Sequence, residues 1–194
     1  VHTLTRLEDG EAVRAGLARP DCRRVVVIGA GFIGMEFVEA CVHLGKEVSL
    51  IQLDARVLVD AFDPEITALL EQELVDRGVN LRVGERVTAL EGEAGELRTV
   101  VTDKGRYPAD LAVVAVGFRP ATAFLAGSGL GMLPNGAIVV DGQGRTNLPD
   151  VYAAGDCATV PSLLDGAPAY TPLATGANKL GRVVGDNLAG LGSH

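Results

Sequence analysis

The chain is poor in aromatic residues, has three cysteines and carries no cluster of basic residues. Aromatics make up 4% of the 194 residues, which argues against an aromatic-rich β-sandwich. Cys22, Cys41 and Cys157 are far apart, odd in number and without a C-x-x-C pair, so neither a disulfide framework nor a zinc site is expected. A reducing, cytoplasmic setting follows as the expectation. Net charge is −8, and no basic stripe is present for nucleic acid. The longest apolar run is about ten residues and is broken by glycines, too short to cross a bilayer. No basic-then-apolar leader opens the chain. It begins with Val rather than Met, which suggests a processed or excised piece. His2, His43 and His194 form no cluster, and His43 reads as a surface cation near a helix end.

Hydrophobic residues make up 47% and charged residues 22%, with 25 glycines. That balance describes a globular α/β chain with many tight turns. The length allows one full domain, or one domain plus part of another. Thr5 to Glu8 has capping-box spacing and predicts a helix over 6–18, ended by Pro20 and Asp21. The unbroken β-branched run RVVVIG, 24–29, predicts a strand buried on both faces. A helix over 32–44 stops at Gly45, and a second strand covers 46–53. Asp63 before Pro64 starts the next helix, with Ile66, Leu69, Leu70 and Leu74 as its apolar face and Gly78 as its end. VNLRV, 79–83, is a third strand.

Alternation over 85–110, with turn signals at Gly92, Gly95 and Lys104-Gly105, predicts an antiparallel meander of two or three strands. DLAVVAVG, 110–117, returns as a buried strand. The order is that of a doubly wound, Rossmann-like parallel sheet carrying a β-meander. From 119 the pattern changes to a hairpin-like GAIVVDGQGRTN, a buried strand VYAAG and a final helix, too little to close a core of its own. The expected division is a dinucleotide-binding domain with a lead-in helix over 1–118, and an incomplete second domain over 119–194.

The turn GAGFIG, 29–34, carries the strongest chemical signal. Gly29 permits the tight turn, Gly31 lets a pyrophosphate approach the backbone, and Gly34 lets the helix pack on the strand. The helix N-terminus adds unpaired N–H groups and a partial positive charge, worth about 0.3–1 kcal/mol per favourable charge. The ribose-reading position at the end of the second strand is Gln52, where a carboxylate is usual. Hydrogen bonds from a neutral amide are weaker than charge-assisted ones, so Gln52 predicts softer discrimination between NAD and NADP. Leu53 and Asp54 offer a 2′-phosphate no positive charge, and Asp54 opposes one. Arg56 is the nearby cation, read as a solvated surface arginine. The balance favours NAD(H) over NADP(H).

The stretch RRVVVIGAGFIGMEFVEACVHLGKEVSLIQ resembles the nicotinamide-binding domain of the class I pyridine nucleotide-disulfide oxidoreductases, which are flavoproteins. ADLAVVAVGFRP resembles their second glycine motif, and TNLPDVYAAGDCA their flavin-contacting Gly-Asp motif. YTPLATGANKLGRVVGDNLAG resembles the segment that follows, and is similar to the branch of coenzyme A-disulfide reductases, NADH oxidases and persulfide reductases. The resemblance covers nearly the whole chain in family order.

By that resemblance, Phe32 is the ring that covers the flavin until nicotinamide displaces it. Glu36 is the acidic residue turned toward the nicotinamide and flavin edge. Gly29, Gly31, Ile33, Gly34, Gln52 and Gly117 belong with the nicotinamide dinucleotide. Gly155 and Asp156 belong with FAD, Asp156 at its ribityl chain. Without the resemblance, Asp156 is an ordinary Asx-turn residue. Arg119-Pro120-Ala121 lacks an Asn that the family often has there. Cys157 reads as structural, because the family's reactive cysteine lies on the flavin domain near the start of the chain.

The resemblance further implies hydride transfer from NADH to FAD, then to a CoA-disulfide, persulfide or oxygen. The remaining FAD and dimerisation domains would be partners, in a homodimer. The alternatives are a free-standing, non-catalytic NAD module, or a piece of a ferredoxin or rubredoxin reductase.

Overall fold

The computed structural model describes residues 1–193. Two compact units divide the chain, Val1–Gly117 and Phe118–His194. In the first, a parallel sheet has the order β3-β2-β1-β7, built from Asn80–Arg82, Glu47–Ile51, Arg24–Ile28 and Leu111–Val114. β1 lies between β2 and β7, pairing Val27 with Leu50 and with Val113. A central strand is covered on both faces, which explains why β1 is an unbroken apolar run.

The two faces are covered differently. Val25, Val27, Leu50 and Val113 meet the helices α1 (Leu7–Leu17), α2 (Phe32–His43) and α3 (Pro64–Asp76) through Leu17, Phe37, Val38, Cys41 and Leu74. Each fully buried Val or Leu here stabilises the fold by about 1.5–3 kcal/mol. Val26, Ile28, Ile51 and Ala112 face the meander through Val100, Ala109 and Tyr107. That meander has three antiparallel strands, β4 (Val87–Glu93), β5 (Glu96–Thr102) and β6 (Arg106–Pro108). It occupies the face where a doubly wound sheet otherwise carries helices.

Local contacts tie these layers together. The Asp110 carboxylate accepts the N–H groups of Arg23 (3.0 Å) and Arg24 (2.8 Å) and the Arg24 guanidinium at 2.6 Å. The guanidinium first, then the two backbone donors, hold its pKa down at about 2. Lys46 Nζ donates to the carbonyls of Leu17 and Cys22, both at 2.7 Å, and so ties β2 to the end of α1. Burial pushes the Cys41 thiol up to about 12, in keeping with a structural cysteine.

Three local expectations change. At the start of α1, the carboxylate that accepts the Thr5 and Arg6 N–H groups is Asp9, not Glu8, because the helix begins at Leu7. On α3, Ile66 and Leu69 are exposed, while Thr67 and Leu74 are buried. Thr67 can turn inward because its hydroxyl bonds the Pro64 carbonyl at 3.2 Å. VYAAG forms no extended strand, only an isolated bridge from Tyr152 to Arg145.

The unit from Phe118 onward has a small core of its own, which the sequence pattern does not predict. Ile138, Val140, Ala158 and Leu180 are buried together, with Val184 and Met132 packed around them. Leu180 and Val184 belong to α4 (Ala174–Leu188). A short hairpin, β8 (Val160–Pro161) and β9 (Pro168–Ala169), and a 3-10 turn at Ala123–Leu125 complete it.

Candidate dinucleotide-binding site

β1 ends at Ile28 and the chain turns at once into α2. The Gly29 N–H donates to the Ile51 carbonyl at 2.8 Å, so the turn begins anchored to β2. Gly29 has φ +101°, and a Cβ there would stand 2.4 Å from the Ala115 carbonyl oxygen. Conformation and space both exclude a side chain. A Cβ on Gly34 would stand 2.0 Å from the Gly29 carbonyl oxygen, so the first turn of α2 rests directly on the end of β1. Gly31 is different. It is the exposed N-cap of α2, and among the described residues nothing lies within 4 Å of where its Cβ would be. The fold requires glycine at 29 and 34, whereas the space beside Gly31 is open to a ligand.

The turn is held rigidly. Ala30 donates its N–H to Gln52 Oε1 at 2.9 Å, and its carbonyl accepts the Leu58 N–H at 3.0 Å. Leu58 is buried with φ +48°, a left-handed conformation that costs a non-glycine residue about 1–2 kcal/mol. Gln52 also donates from Nε2 to Asp54 at 2.7 Å. Its backbone N–H donates to the Arg82 carbonyl (2.8 Å), and its own carbonyl accepts the Glu85 N–H (3.0 Å). One side-chain N–H of Gln52 is left to offer a ligand.

Arg56 is not a solvated arginine. Its guanidinium donates to the carbonyls of Phe62 (2.5 Å) and Val59 (2.9 Å), closing the loop between β2 and α3. The same loop brings Phe62 edge-on to Phe32, with ring centroids 6.2 Å apart. Phe32 remains 47% exposed, and Ile33 beside it is exposed as well. Glu36, one turn further along α2, is exposed and takes no hydrogen bond or ion pair among the described residues. Gly117, with φ +94°, follows β7, and the space beside it is open. Gly29 to Gly34 and Gln52 thus gather at the carboxyl ends of β1 and β2, where open α/β sheets bind ligands.

In the second unit, Gly155 has φ +89° with open space beside it. The Asp156 carbonyl accepts the Tyr170 hydroxyl at 3.0 Å. The exposed Asp156 carboxylate accepts no hydrogen bond among the described residues, so it does not close an Asx turn. Cys157 Sγ donates to the Ala154 carbonyl at 3.4 Å. Among the described residues no group of His, Cys, Asp and Glu could hold a metal, and no helix is long and apolar enough to cross a membrane.

A parallel sheet whose central strand ends in an open glycine turn at a helix N-terminus defines a Rossmann-like dinucleotide-binding unit. More particularly, the chain belongs to the pyridine nucleotide-disulphide oxidoreductase family, whose profile matches residues 1–176. It is 46% identical over 169 residues to an NADH oxidase of Enterococcus faecalis, covering 87% of this chain and 38% of that protein. It is 38% identical over 194 residues to the NAD(P)H sulfur oxidoreductase (CoA-dependent) of Pyrococcus abyssi, covering 100% of this chain and 43% of that one. The water-forming NADH oxidase of Lactobacillus brevis, solved with NADH bound, superposes with a TM-score of 0.88 at 40% identity, over 96% of this chain and 41% of that one. The chain therefore spans about two fifths of the length of these relatives.

Proposed function

We propose that this chain is the NAD(H)-binding part of a flavin-dependent NAD(P)H oxidoreductase, with NAD(H) preferred over NADP(H). The chemistry its bound cofactors supply is hydride transfer from NADH to FAD, followed by reduction of a CoA-disulfide, a persulfide or oxygen. The observation that carries this reading is Gly31, where the fold leaves open space at the start of a helix and needs none for its own packing.

Gly31 and the α2 N-terminus receive the pyrophosphate with backbone N–H groups. Gln52 turns its remaining side-chain N–H toward the adenosine ribose, and the Asp54 carboxylate beside it disfavours a 2′-phosphate. Phe32, half exposed, would cover the flavin where nicotinamide takes its place, and Glu36 lies one helical turn away to meet the nicotinamide edge. Gly155 and the exposed Asp156 carboxylate suit the FAD side of the whole protein, Asp156 at the ribityl hydroxyls. The whole protein works as a homodimer in the cytoplasm.

Calorimetric titration tests this directly. NADH is expected to bind, NADPH more weakly, and Gly31→Val to abolish NADH binding while the chain stays folded. Tighter binding of NADPH, or unchanged NADH affinity in Gly31→Val, would sink the reading.

A further inference from the structure

Glu85, between β3 and β4, is only 4% exposed, and apolar packing does not explain a carboxylate there. Burying such a group is costly unless hydrogen bonds replace its water. Its Oε1 accepts the Tyr107 hydroxyl at 2.7 Å and the Thr102 hydroxyl as well. The lone pairs of Thr102 Oγ1 are taken by the N–H groups of Gly105 (2.8 Å) and Lys104 (3.2 Å), and its single proton has two acceptors, the nearer Glu85 carboxylate and the Gly105 carbonyl at 3.2 Å. Burial, then the bond to Glu85, raises the Tyr107 pKa, so the phenol keeps its proton. Tyr107 also meets Arg82, whose guanidinium carbon stands 5.7 Å from the ring centroid.

These are the same two residues that hold Gln52. Arg82 accepts the Gln52 N–H through its carbonyl, and Glu85 donates its N–H to the Gln52 carbonyl. Gly84, between them in the chain, donates to the Asp54 carbonyl at 2.7 Å. A single tyrosine of the meander therefore fixes both side chains whose backbones bracket the end of β2.

We propose that Tyr107, acting through Glu85 and Arg82, is a positioning residue that sets Gln52 for the adenosine half of the dinucleotide. This rests on the reading that Gln52 faces the adenosine ribose. Nothing in the cofactor chemistry calls for Tyr107 or Glu85 otherwise, and both lie away from the glycine turn in sequence.

The test compares Tyr107→Phe, which keeps the ring and removes only the hydroxyl, with the unaltered chain. NADH, ADP-ribose and nicotinamide mononucleotide are the probes, followed by calorimetry. Tyr107→Phe is expected to weaken NADH and ADP-ribose about fivefold, the scale of one hydrogen bond. Nicotinamide mononucleotide should bind as before, and amide exchange at Gln52 should quicken. In a Gln52→Ala background, Tyr107→Phe should cause no further loss of ADP-ribose affinity. Glu85→Gln carries the same expectations if Tyr107→Phe does not hold a native state. Unchanged ADP-ribose affinity in a folded variant, or an equal further loss in the Gln52→Ala background, overturns the positioning role alone. If the unaltered chain binds neither NADH nor ADP-ribose, the dinucleotide reading falls and the positioning role falls with it.

Discussion

Gln52 donates its side-chain N–H to Asp54 at 2.7 Å while its carbonyl oxygen holds the Ala30 N–H of the glycine turn. The amide is thus a bridge between the loop that receives phosphates and the one acidic group beside the ribose position. A carboxylate at 52 could keep the bond from Ala30 and would lose the one to Asp54.

Gln52→Glu would set two carboxylates within hydrogen-bond distance of each other. The repulsion, about 1–2 kcal/mol, pushes the pKa of the pair up. NADH affinity is expected to fall about tenfold at pH 8 and to recover in part at pH 5.5. Adding Asp54→Asn should restore it at both pH values. Calorimetry that finds Gln52→Glu tighter than the unaltered chain at pH 8 would refute the bridge.

Gly34 and Gly31 should separate stability from binding. Gly34→Ala forces a Cβ to 2.0 Å from the Gly29 carbonyl oxygen and is expected to cost about 1–3 kcal/mol in urea unfolding. Gly31→Ala meets nothing, and should cost no more than about 1 kcal/mol, the scale of a lost N-cap preference. Equal losses for the two would contradict the geometry.

Asp110 gives the fold an acid-sensitive strap. Its folded pKa of about 2 lies below the ordinary 3.8, so its stabilisation is complete above about pH 4 and is lost as pH falls toward 2. Because Arg24 is half exposed to water, the contribution is about 1–2 kcal/mol. Asp110→Asn should lower stability by that amount at pH 7 and by only a small part of it at pH 2, where half of the carboxylates are still charged. A difference undiminished at pH 2 would point to packing in place of charge.

The legible parts of the fold were those whose signals are local. β1, β2 and α2 follow from a β-branched run, a glycine turn and a stop at Gly45, and they lie within a residue or two of the expected bounds. The α3 face departs from its apolar periodicity because Thr67 satisfies its hydroxyl within its own helix turn and can be buried, while Ile66 faces solvent. The β8–β9 hairpin has two-residue strands, too short for alternation to register. At the site, the three glycines were readable from spacing. The partners of Gln52 and Arg56 were not, because they depend on backbone groups brought close only by the sheet and its following loop. Glu85 gave no signal, since a carboxylate in a charged, alternating stretch reads as a surface residue.

The open space beside Gly31 has an evolutionary consequence. Folding asks little of that position beyond an N-cap preference, so selection on stability guards it weakly. A lineage released from the need to bind a dinucleotide could lose the site by one substitution there and still inherit a well-folded domain. Such a descendant would pass every measure of abundance and solubility, and only a ligand titration would distinguish it.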